Sequence, residues 1–465
     1  MKIPPAIYYI SFSFSFFSLF SSYFFEITAS FFMLILIFRL FWKENTPPII
    51  ITGLFFQWLS VSVGYIYIAF SKFEMTDLLW RPDYSLEQIN TAFWLSLTGL
   101  LFFALGIRVG IRNIYPINIS DSVIQKYSIN KVIIFYLLFS FFSDALFKSI
   151  RFSVPGLAQP LNALLYLKWT LLFLLIYISV SKKERVVLVS IILFVEVIIG
   201  FTGYFSVFKD ILIIVFIIWL TFNKVEKTKQ IVFILLFSVF LFSIGALWSY
   251  VKVDYRTFLS GGERTQSVTV SKEDALKELM RLSSQVNFEK YQVGIKNLVK
   301  RLFFLEYFSA TINHIPEKKP FSDGEIWANA IKHILMPRFL FPNKKSIDDS
   351  EQTMKLTGIR LANANQGTSI SIGYIAESYA DFGSFFMFIP IFLLGFLIGL
   401  FYKYLLLIQK NPLWAYGLVI PLYFFINIFG KNIIKIMGLL FWFFIIFNLI
   451  VFFFIPLIEK TIKKK

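Results

Sequence analysis

The chain has 465 residues, of which 57% are hydrophobic, and a formal net charge of +17. Apolar runs of about 20 residues recur along it, and each can cross a bilayer core of roughly 30 Å, which predicts an all-α, polytopic membrane protein. Cysteine is absent and there are two histidines, so disulfides and thiolate sites are excluded and a histidine-rich metal site is disfavoured. We therefore expect no metal and no cofactor.

The apolar runs between polar breaks predict about twelve membrane spans. The predicted spans are 5–20, 23–42, 49–70, 89–107, 130–149, 161–180, 186–204, 206–222, 231–249, 381–402, 413–428 and 436–456. The sequence leaves open whether the region 4–42 forms one span or two. With the N-terminus in the cytoplasm, most lysines and arginines of the short loops lie on the cytoplasmic side. This bias places both termini in the cytoplasm and accounts for the basic charge without nucleic acid.

One connection is much longer than the others and lies between the ninth and tenth predicted spans. The chain thus divides into residues 1–249 with nine spans, residues 250–380 as a large extracytoplasmic loop, and residues 381–465 with three spans and a basic cytoplasmic tail. Because the long loop faces outward, we expect the protein to act on something at the outer leaflet.

The long loop begins with a turn and two predicted amphipathic helices. Gly261-Gly262 indicates a flexible turn, and "SKEDALKELMRL" (271–282) predicts a helix capped by Ser271. "VGIKNLVKRLFFLEYF" (293–308) predicts a basic amphipathic helix. A helix of this kind often lies at the headgroup surface for anchorage alone.

A rigid, cationic stretch follows at "PRFLFPNKK" (337–345). Its two prolines stop any helix and hold the backbone extended, so that Arg338, Lys344 and Lys345 are presented from a stiff loop. Guanidinium and ammonium groups suit phosphate oxygens, which points to a phosphorylated substrate. The alternative is that these cations contact the headgroups of membrane lipids.

The segment "GTSISIGYIAESYADFG" (367–383) leads into the tenth predicted span. On a helix, its small residues would form one face that lets another helix approach closely: Gly373, Ala376, Ala380 and Gly383. Tyr374, Glu377 and Asp381 lie on a different face. The two carboxylates either pair with loop arginines as structural ties or supply a general base, since crowding raises the pKa of a carboxyl group.

Other ionisable residues offer weaker signals. His314 and His333 could take a proton near neutral pH, but loop histidines without partners are commonly incidental. Charged residues within the predicted spans are candidates for polar contacts between helices or for cavity lining: Glu26, Asp144, Lys168, Glu196 and Asp210.

The arrangement of many spans, a late outer loop, "PRFLFPNKK" and "GTSISIGYIAESYADFG" resembles the Wzy-type O-antigen polymerases. The architecture is similar over nearly the whole chain, and the residue-level resemblance covers roughly 337–383. The resemblance implies a GT-C-like glycosyltransferase in the bacterial cytoplasmic (inner) membrane. Its substrates would be oligosaccharide repeat units linked to undecaprenyl pyrophosphate, and a chain-length regulator protein would be a possible partner.

The resemblance also implies roles for individual residues. Arg338 would stabilise the pyrophosphate leaving group during the transfer, and Glu377 would deprotonate the acceptor hydroxyl. Further candidate contacts to the pyrophosphate are Lys344, Lys345, Arg301, Arg281 and Arg360. Asp381 and His314 are reserve bases, and Tyr374 is a possible acceptor contact.

Two alternatives from other classes stay open. An O-antigen ligase would move finished glycan from the same carrier to another acceptor, and it would share the topology and the pyrophosphate chemistry. A flippase of lipid-linked saccharides would show internal pseudo-symmetry and charges deep in many spans. Neither feature is evident in the sequence, because the charges are concentrated in one outer segment.

Overall fold

The computed structural model describes residues 4–464 apart from 45, 72, 80–85, 115–116, 151–156, 205–206, 224–227, 263–267, 337–340, 342–343, 345–347 and 362–368. These described residues form helices and connecting turns, and no β-strand occurs among them. The predicted all-α class is confirmed to that extent.

The first half of the chain contains eleven described helices. They are α1 (Pro5–Phe17), α2 (Phe24–Phe41), α3 (Ile49–Ala69), α4 (Leu86–Gly110), α5 (Asp121–Gln125), α6 (Ile129–Ile150), α7 (Ala158–Leu165), α8 (Leu167–Lys182), α9 (Val186–Phe201), α10 (Phe208–Phe222) and α11 (Thr228–Leu259). The second half contains α12 (Lys272–Ser284), α13 (Phe288–Leu302), α14 (Glu306–His314), α15 (Glu325–Leu335), α16 (Asp349–Thr357), α17 (Tyr374–Phe386), α18 (Phe388–Ile408), α19 (Pro412–Val419), α20 (Tyr423–Ile426), α21 (Ile433–Leu449) and α22 (Ile455–Ile462).

Seven helical segments in the described part of the chain are long and apolar enough to cross a membrane. They are Phe24–Phe41, Ile49–Ala69, Leu86–Gly110, Gln159–Lys182, Lys229–Leu259, Phe388–Ile408 and Ile433–Ile462. Shorter apolar helices cover Pro5–Phe20, Ile129–Ser143, Val186–Phe201 and Pro412–Ile426. These helices support a membrane protein, whereas the count of twelve spans and the side on which each loop lies stay predictions.

Two spans differ from their predicted form for local backbone reasons. The span predicted at 381–402 begins at Phe388, because Gly383 has φ +69° and interrupts the helical path before it. The span predicted at 413–428 is broken around Pro421, whose ring removes a backbone donor.

Helices α4 and α18 pack through a seam of glycines. A Cβ atom at Gly106 would lie 2.1 Å from the carbonyl oxygen of Phe392, and one at Gly395 would lie 2.2 Å from that of Phe103. Gly110 and Gly399 repeat the contact one turn further along. The pattern small-x-x-x-small on both helices allows backbone-to-backbone contact, which is a common way to join helices in a membrane.

The predicted outer loop packs directly against the spans. Helix α13 runs along α11, where a Cβ at Gly294 would lie 2.5 Å from the carbonyl oxygen of Ala246. Beyond α13, the ring of Phe303 covers Gly64 in the middle of α3, and the N–H of Phe304 donates to the carbonyl of Ser60 at 3.1 Å. The residues after α13 therefore pack against α3, with Phe303 buried there.

The predicted helices of this loop are confirmed in part. Ser271 caps α12 by accepting a hydrogen bond from the N–H of Asp274 at 3.1 Å, and Gly261 and Gly262 both have positive φ in the predicted turn. The single helix predicted at 293–308 is wrong in its second half. The backbone of Phe303 leaves the helical conformation at ψ 90°, and α14 starts anew at Glu306.

Candidate functional site

Five basic side chains lie within electrostatic range of one another in a connected group, and two of them also interact with the carboxylate of Asp210. We call this group the basic recess; its members are Lys209, Lys252, Arg256, Arg301 and Lys431, with Asp210 among them. Lys209 interacts electrostatically with Asp210, Arg256 and Arg301, and Lys431 interacts with Asp210 and Lys209. Of the described side chains that these interactions connect, five are cations, and Asp210 is the carboxylate.

These cations lie on four elements that are far apart in the sequence. Lys209 lies in the first turn of α10, and Lys252 and Arg256 are four residues apart on α11, so they share a helix face. Arg301 lies in the last turn of α13, and Lys431 follows α20. Phe303 packs on Gly64 of α3 and Phe304 packs beside Gly430, and these contacts hold the end of α13, where Arg301 lies.

Two of the cations are held by the surrounding protein. The Nε of Arg256 donates to the carbonyl of Tyr204 at 3.2 Å, and its guanidinium lies 4.7 Å from the centre of the Tyr204 ring. The Nζ of Lys431 donates to the carbonyl of Phe424 at 2.8 Å. Neither contact neutralises charge. Within the described residues, the side chains of Lys209, Lys252 and Arg301 make no hydrogen bond or ion pair.

The recess is accessible and yet poorly solvated. Lys209 and Arg301 are exposed, while Lys252, Arg256 and Lys431 are half-buried. Although Arg301 is exposed as a whole residue, neighbouring protein atoms displace water around its guanidinium group and lower its pKa, and the charge of Arg256 lowers it further. Burial also lowers the pKa of Lys431 to about 8, although the negative charge of Asp210 opposes the shift. Cations that have lost water without gaining protein anions are stabilised by an anionic ligand.

The chemistry of the recess suits phosphate groups. Guanidinium groups bind phosphate oxygens through two parallel hydrogen bonds, and ammonium groups add compact charge. Where the structure is described, no group of three His, Cys, Asp or Glu side chains could hold a metal ion.

Among the residues predicted to bind pyrophosphate, the structure places Arg301 in the recess. Arg338 and Lys345 lie outside the described residues. Lys344 donates to the carbonyls of His333 and Met336, the latter at 2.7 Å, and so binds the end of α15. Arg281 pairs with Glu278 at 2.6 Å on the exposed face of α12. Arg360 is exposed beyond the end of α16.

The two predicted carboxylates bind the first turns of helices. Glu377 is 1% exposed, and its Oε2 accepts the N–H of Ile433 at 2.6 Å. Asp381 is fully buried and accepts the N–H groups of Ile326 at 3.0 Å and Trp327 at 2.9 Å. Such bonds satisfy the free donors at the starts of α21 and α15. This geometry favours structural roles, and a role as general base stays a prediction for both residues.

The remaining predicted residues lie close to α17. The hydroxyl of Tyr374 donates to Oε1 of Gln57 at 3.0 Å within the bundle. His314 ends α14 and is half-buried; burial lowers its pKa, and the charges of Lys318 and Lys319 lower it further. His314 is therefore mainly neutral at pH 7, which a base requires, but the structure does not place it in the recess.

The prediction of one helical face of small residues in 367–383 is wrong. Gly373 precedes α17 with φ +88°, and Gly383 has φ +69°. Close approach still occurs, since a Cβ at Gly373 would lie 2.2 Å from the carbonyl oxygen of Phe429. Because Gly373 has no side chain, the backbone of Phe429 can contact it closely.

Two of the ionisable residues predicted within spans, Lys168 and Glu196, pair with each other. The Nζ of Lys168 lies 2.7 Å from Oε2 of Glu196, and the Oγ of Ser140 donates to Oε1 of Glu196 at 2.7 Å. These contacts tie α6, α8 and α9 together, as expected for charges in an apolar bundle. Asp210 belongs to the recess. The side chain of Asp144 lies outside the described part of the chain.

Sequence reasoning missed most of the recess. The strongest available signal was the spacing of Lys252 and Arg256, four residues apart at the end of an apolar run. Lys209 beside Asp210 was a second signal, because two charges interrupt an otherwise apolar region.

The burial of Glu377 predicts that the stability of the protein depends on pH. It lies outside the candidate spans, and burial raises its pKa from 4.5 to about 8, against the lowering effect of the Ile433 N–H. The protonated carboxyl group therefore stabilises the fold at low pH, and this stabilisation is lost as the pH rises through about 8. We expect the melting temperature in detergent to fall as the pH rises from about 4.5 to about 8, and to fall less in Glu377→Gln. Equal falls in both proteins would assign the titration to another group.

Comparison with known proteins identifies a family without an assigned activity. The family model described as a domain of unknown function, DUF8712, matches residues 3–463. The chain therefore belongs to this family. No curated protein and no solved structure matches the chain.

Proposed function

We propose that this member of the DUF8712 family is a membrane glycosyltransferase. It joins oligosaccharide repeat units linked to undecaprenyl pyrophosphate at the outer face of the bacterial cytoplasmic membrane. The observation that supports the proposal is the basic recess, in which five cations interact with one another and two of them, Lys209 and Lys431, also interact with Asp210. A lipid-linked pyrophosphate supplies the negative charge that the protein itself does not.

The proposed reaction makes use of this charge. The acceptor hydroxyl oxygen attacks the anomeric carbon of the donor glycan and forms the new C–O bond, while the bond from that carbon to the pyrophosphate breaks. The electron pair leaves with the pyrophosphate, and a base takes the hydroxyl proton. Because negative charge builds up on the leaving group, cations placed beside it stabilise the transition state more than the ground state.

Helices beside the recess expose apolar side chains farther along their length. Leu236, Val239 and Phe240 on α11 are exposed, as are Phe194 and Ile199 on α9. Apolar side chains on these helices can face the acyl chains, so the polyprenyl tail can stay in the bilayer while the pyrophosphate enters the recess from the side.

Two carboxylates are candidates for the base. Glu377 is the residue implied by the sequence resemblance, but it is buried and accepts the N–H of Ile433. Asp210 lies among the cations of the recess and is half-buried. We therefore place Asp210 first, because a base must reach the reacting hydroxyl.

A strain that lacks the gene tests this function. We expect surface glycan limited to one repeat unit on gel analysis, with single units accumulating on the carrier lipid. Long glycan retained on the carrier would instead show an O-antigen ligase, which the recess would also suit. Units trapped at the cytoplasmic face would show a flippase and would contradict the proposal.

A further inference from the structure

A buried carboxylate joins the long loop to the first turn of α21. Asp349 is the first residue of α16 and is 5% exposed. Its Oδ1 accepts a hydrogen bond from Nδ2 of Asn432 at 2.6 Å. Its Oδ2 accepts a hydrogen bond from Oγ of Ser369 at 2.7 Å and pairs with Nζ of Lys435. We call Asp349, Ser369, Asn432 and Lys435 the α16 latch.

The α16 latch holds the residue next to a cation of the basic recess. Asn432 is 2% exposed, and its Oδ1 accepts the N–H of Lys435 at 3.1 Å, so it caps α21 while its amide group donates to Asp349. Lys431 directly precedes Asn432 in the chain. The backbone of Lys431 is therefore tied to α16 through one buried side chain.

The turn that carries Lys431 also contacts the end of α13. A Cβ at Gly430 would lie 3.2 Å from Cζ of Phe304, so the ring packs directly on the backbone of the turn. Phe304 follows Arg301 by three residues. The turn thus lies between the α16 latch and the segment that carries Arg301, and a shift of the turn would change the distance between these two cations of the recess.

We infer that Asp349 is a positioning residue: through Asn432 it holds Lys431 in the basic recess and so favours binding of the pyrophosphate. The inference rests on the proposed function, since the ligand is the same. Cations that repel one another move apart unless the fold holds them in place. Holding them before the ligand arrives lowers the free-energy cost of binding an anion.

The sign of the effect separates positioning from simple charge. Replacing Asp349 with asparagine removes a negative charge and leaves the ammonium group of Lys435 without its anion. Electrostatic attraction alone would then strengthen the binding of an anion to the protein. Loss of positioning weakens the binding, because the turn that carries Lys431 is no longer held.

Isothermal titration calorimetry with inorganic pyrophosphate tests the inference on the purified full chain in detergent, well below the melting temperature of every variant. We expect Asp349→Asn to raise the Kd about tenfold, as loss of a supporting contact does around metal ligands. Asn432→Ser is expected to raise the Kd as well. It keeps an oxygen that caps α21 and changes no charge, so it tests the latch even if Asp349→Asn does not fold.

Glu351→Gln is the matched control. It removes the same charge as Asp349→Asn from an exposed position in the first turn of the same helix, and we expect an unchanged Kd. A fall in the melting temperature of Asp349→Asn and Asn432→Ser with no change in Kd would overturn the inference and leave a structural contact. Tighter binding by Asp349→Asn would also overturn it. Both results leave the proposed function standing, whereas no binding of pyrophosphate by the wild-type protein would contradict the recess and this inference together.

Discussion

Replacing Arg301 with alanine is expected to reduce glycan polymerisation by roughly 100- to 1,000-fold, as removal of one pre-placed donor to a developing charge does in other enzymes. The side chain is exposed in the basic recess, and in the described residues it makes no hydrogen bond or ion pair within the protein, so its loss leaves little else unsatisfied. The measurement is the length of the glycan ladder and the rate of repeat-unit consumption in membranes, at matched protein levels.

Two further variants make this test specific. Arg301→Lys keeps the charge but loses the planar fork of donors, and we expect it to restore part of the rate. Arg281→Ala is the matched control, because Arg281 pairs with Glu278 on an exposed helix face, and we expect a normal ladder. A normal ladder in Arg301→Ala, or equal losses in Arg301→Ala and Arg281→Ala, would remove the recess from the mechanism.

Gly106→Leu is expected to prevent folding or to lower the melting temperature strongly. A Cβ at this position would lie 2.1 Å from the carbonyl oxygen of Phe392 and 2.8 Å from the N of Phe396. Both are backbone atoms, so no side chain can move aside, and α4 and α18 would have to separate. Overpacking in a rigid core typically costs ~1–3 kcal/mol, and loss of the glycine seam adds the contacts of a whole helix pair.

Gly99 on the same helix provides the control. A Cβ there would lie 3.2 Å from Cδ1 of Ile375, a side-chain methyl that can rotate. We expect Gly99→Ala to be purified with a melting temperature near that of the wild type, as judged by size-exclusion chromatography and thermal unfolding in detergent. If Gly106→Leu had the melting temperature of the wild type, α4 and α18 would not pack at this distance.

Helix positions could be predicted from the sequence because apolar runs and capping residues are local signals. The predicted spans overlap helices, and Ser271 caps α12 as expected. The end of α13 could not be predicted, since its apolar pattern continues through Phe303 and the helix stops only because that ring packs on Gly64. Local pattern and tertiary packing disagree there, and packing decides the structure.

The candidate site was largely beyond sequence reasoning. Residues 209, 252, 301 and 431 come together only when α10, α11, α13 and the turn after α20 are assembled. The sequence does show that Glu377 and Asp381 are carboxylates near a span, where burial of a charged group costs free energy. Their partners are N–H groups of α21 and α15, and a backbone donor leaves no mark in the sequence.

The central claim is that the basic recess holds a lipid-linked pyrophosphate, and native mass spectrometry of the purified protein tests it most directly. With undecaprenyl pyrophosphate added, we expect the wild-type protein to retain one lipid and free pyrophosphate to displace it. The double variant Arg256→Ala/Arg301→Ala is expected to lose the lipid, and Arg281→Ala to keep it. Equal retention by the wild-type protein and the double variant, or no retention by the wild-type protein, would contradict the account.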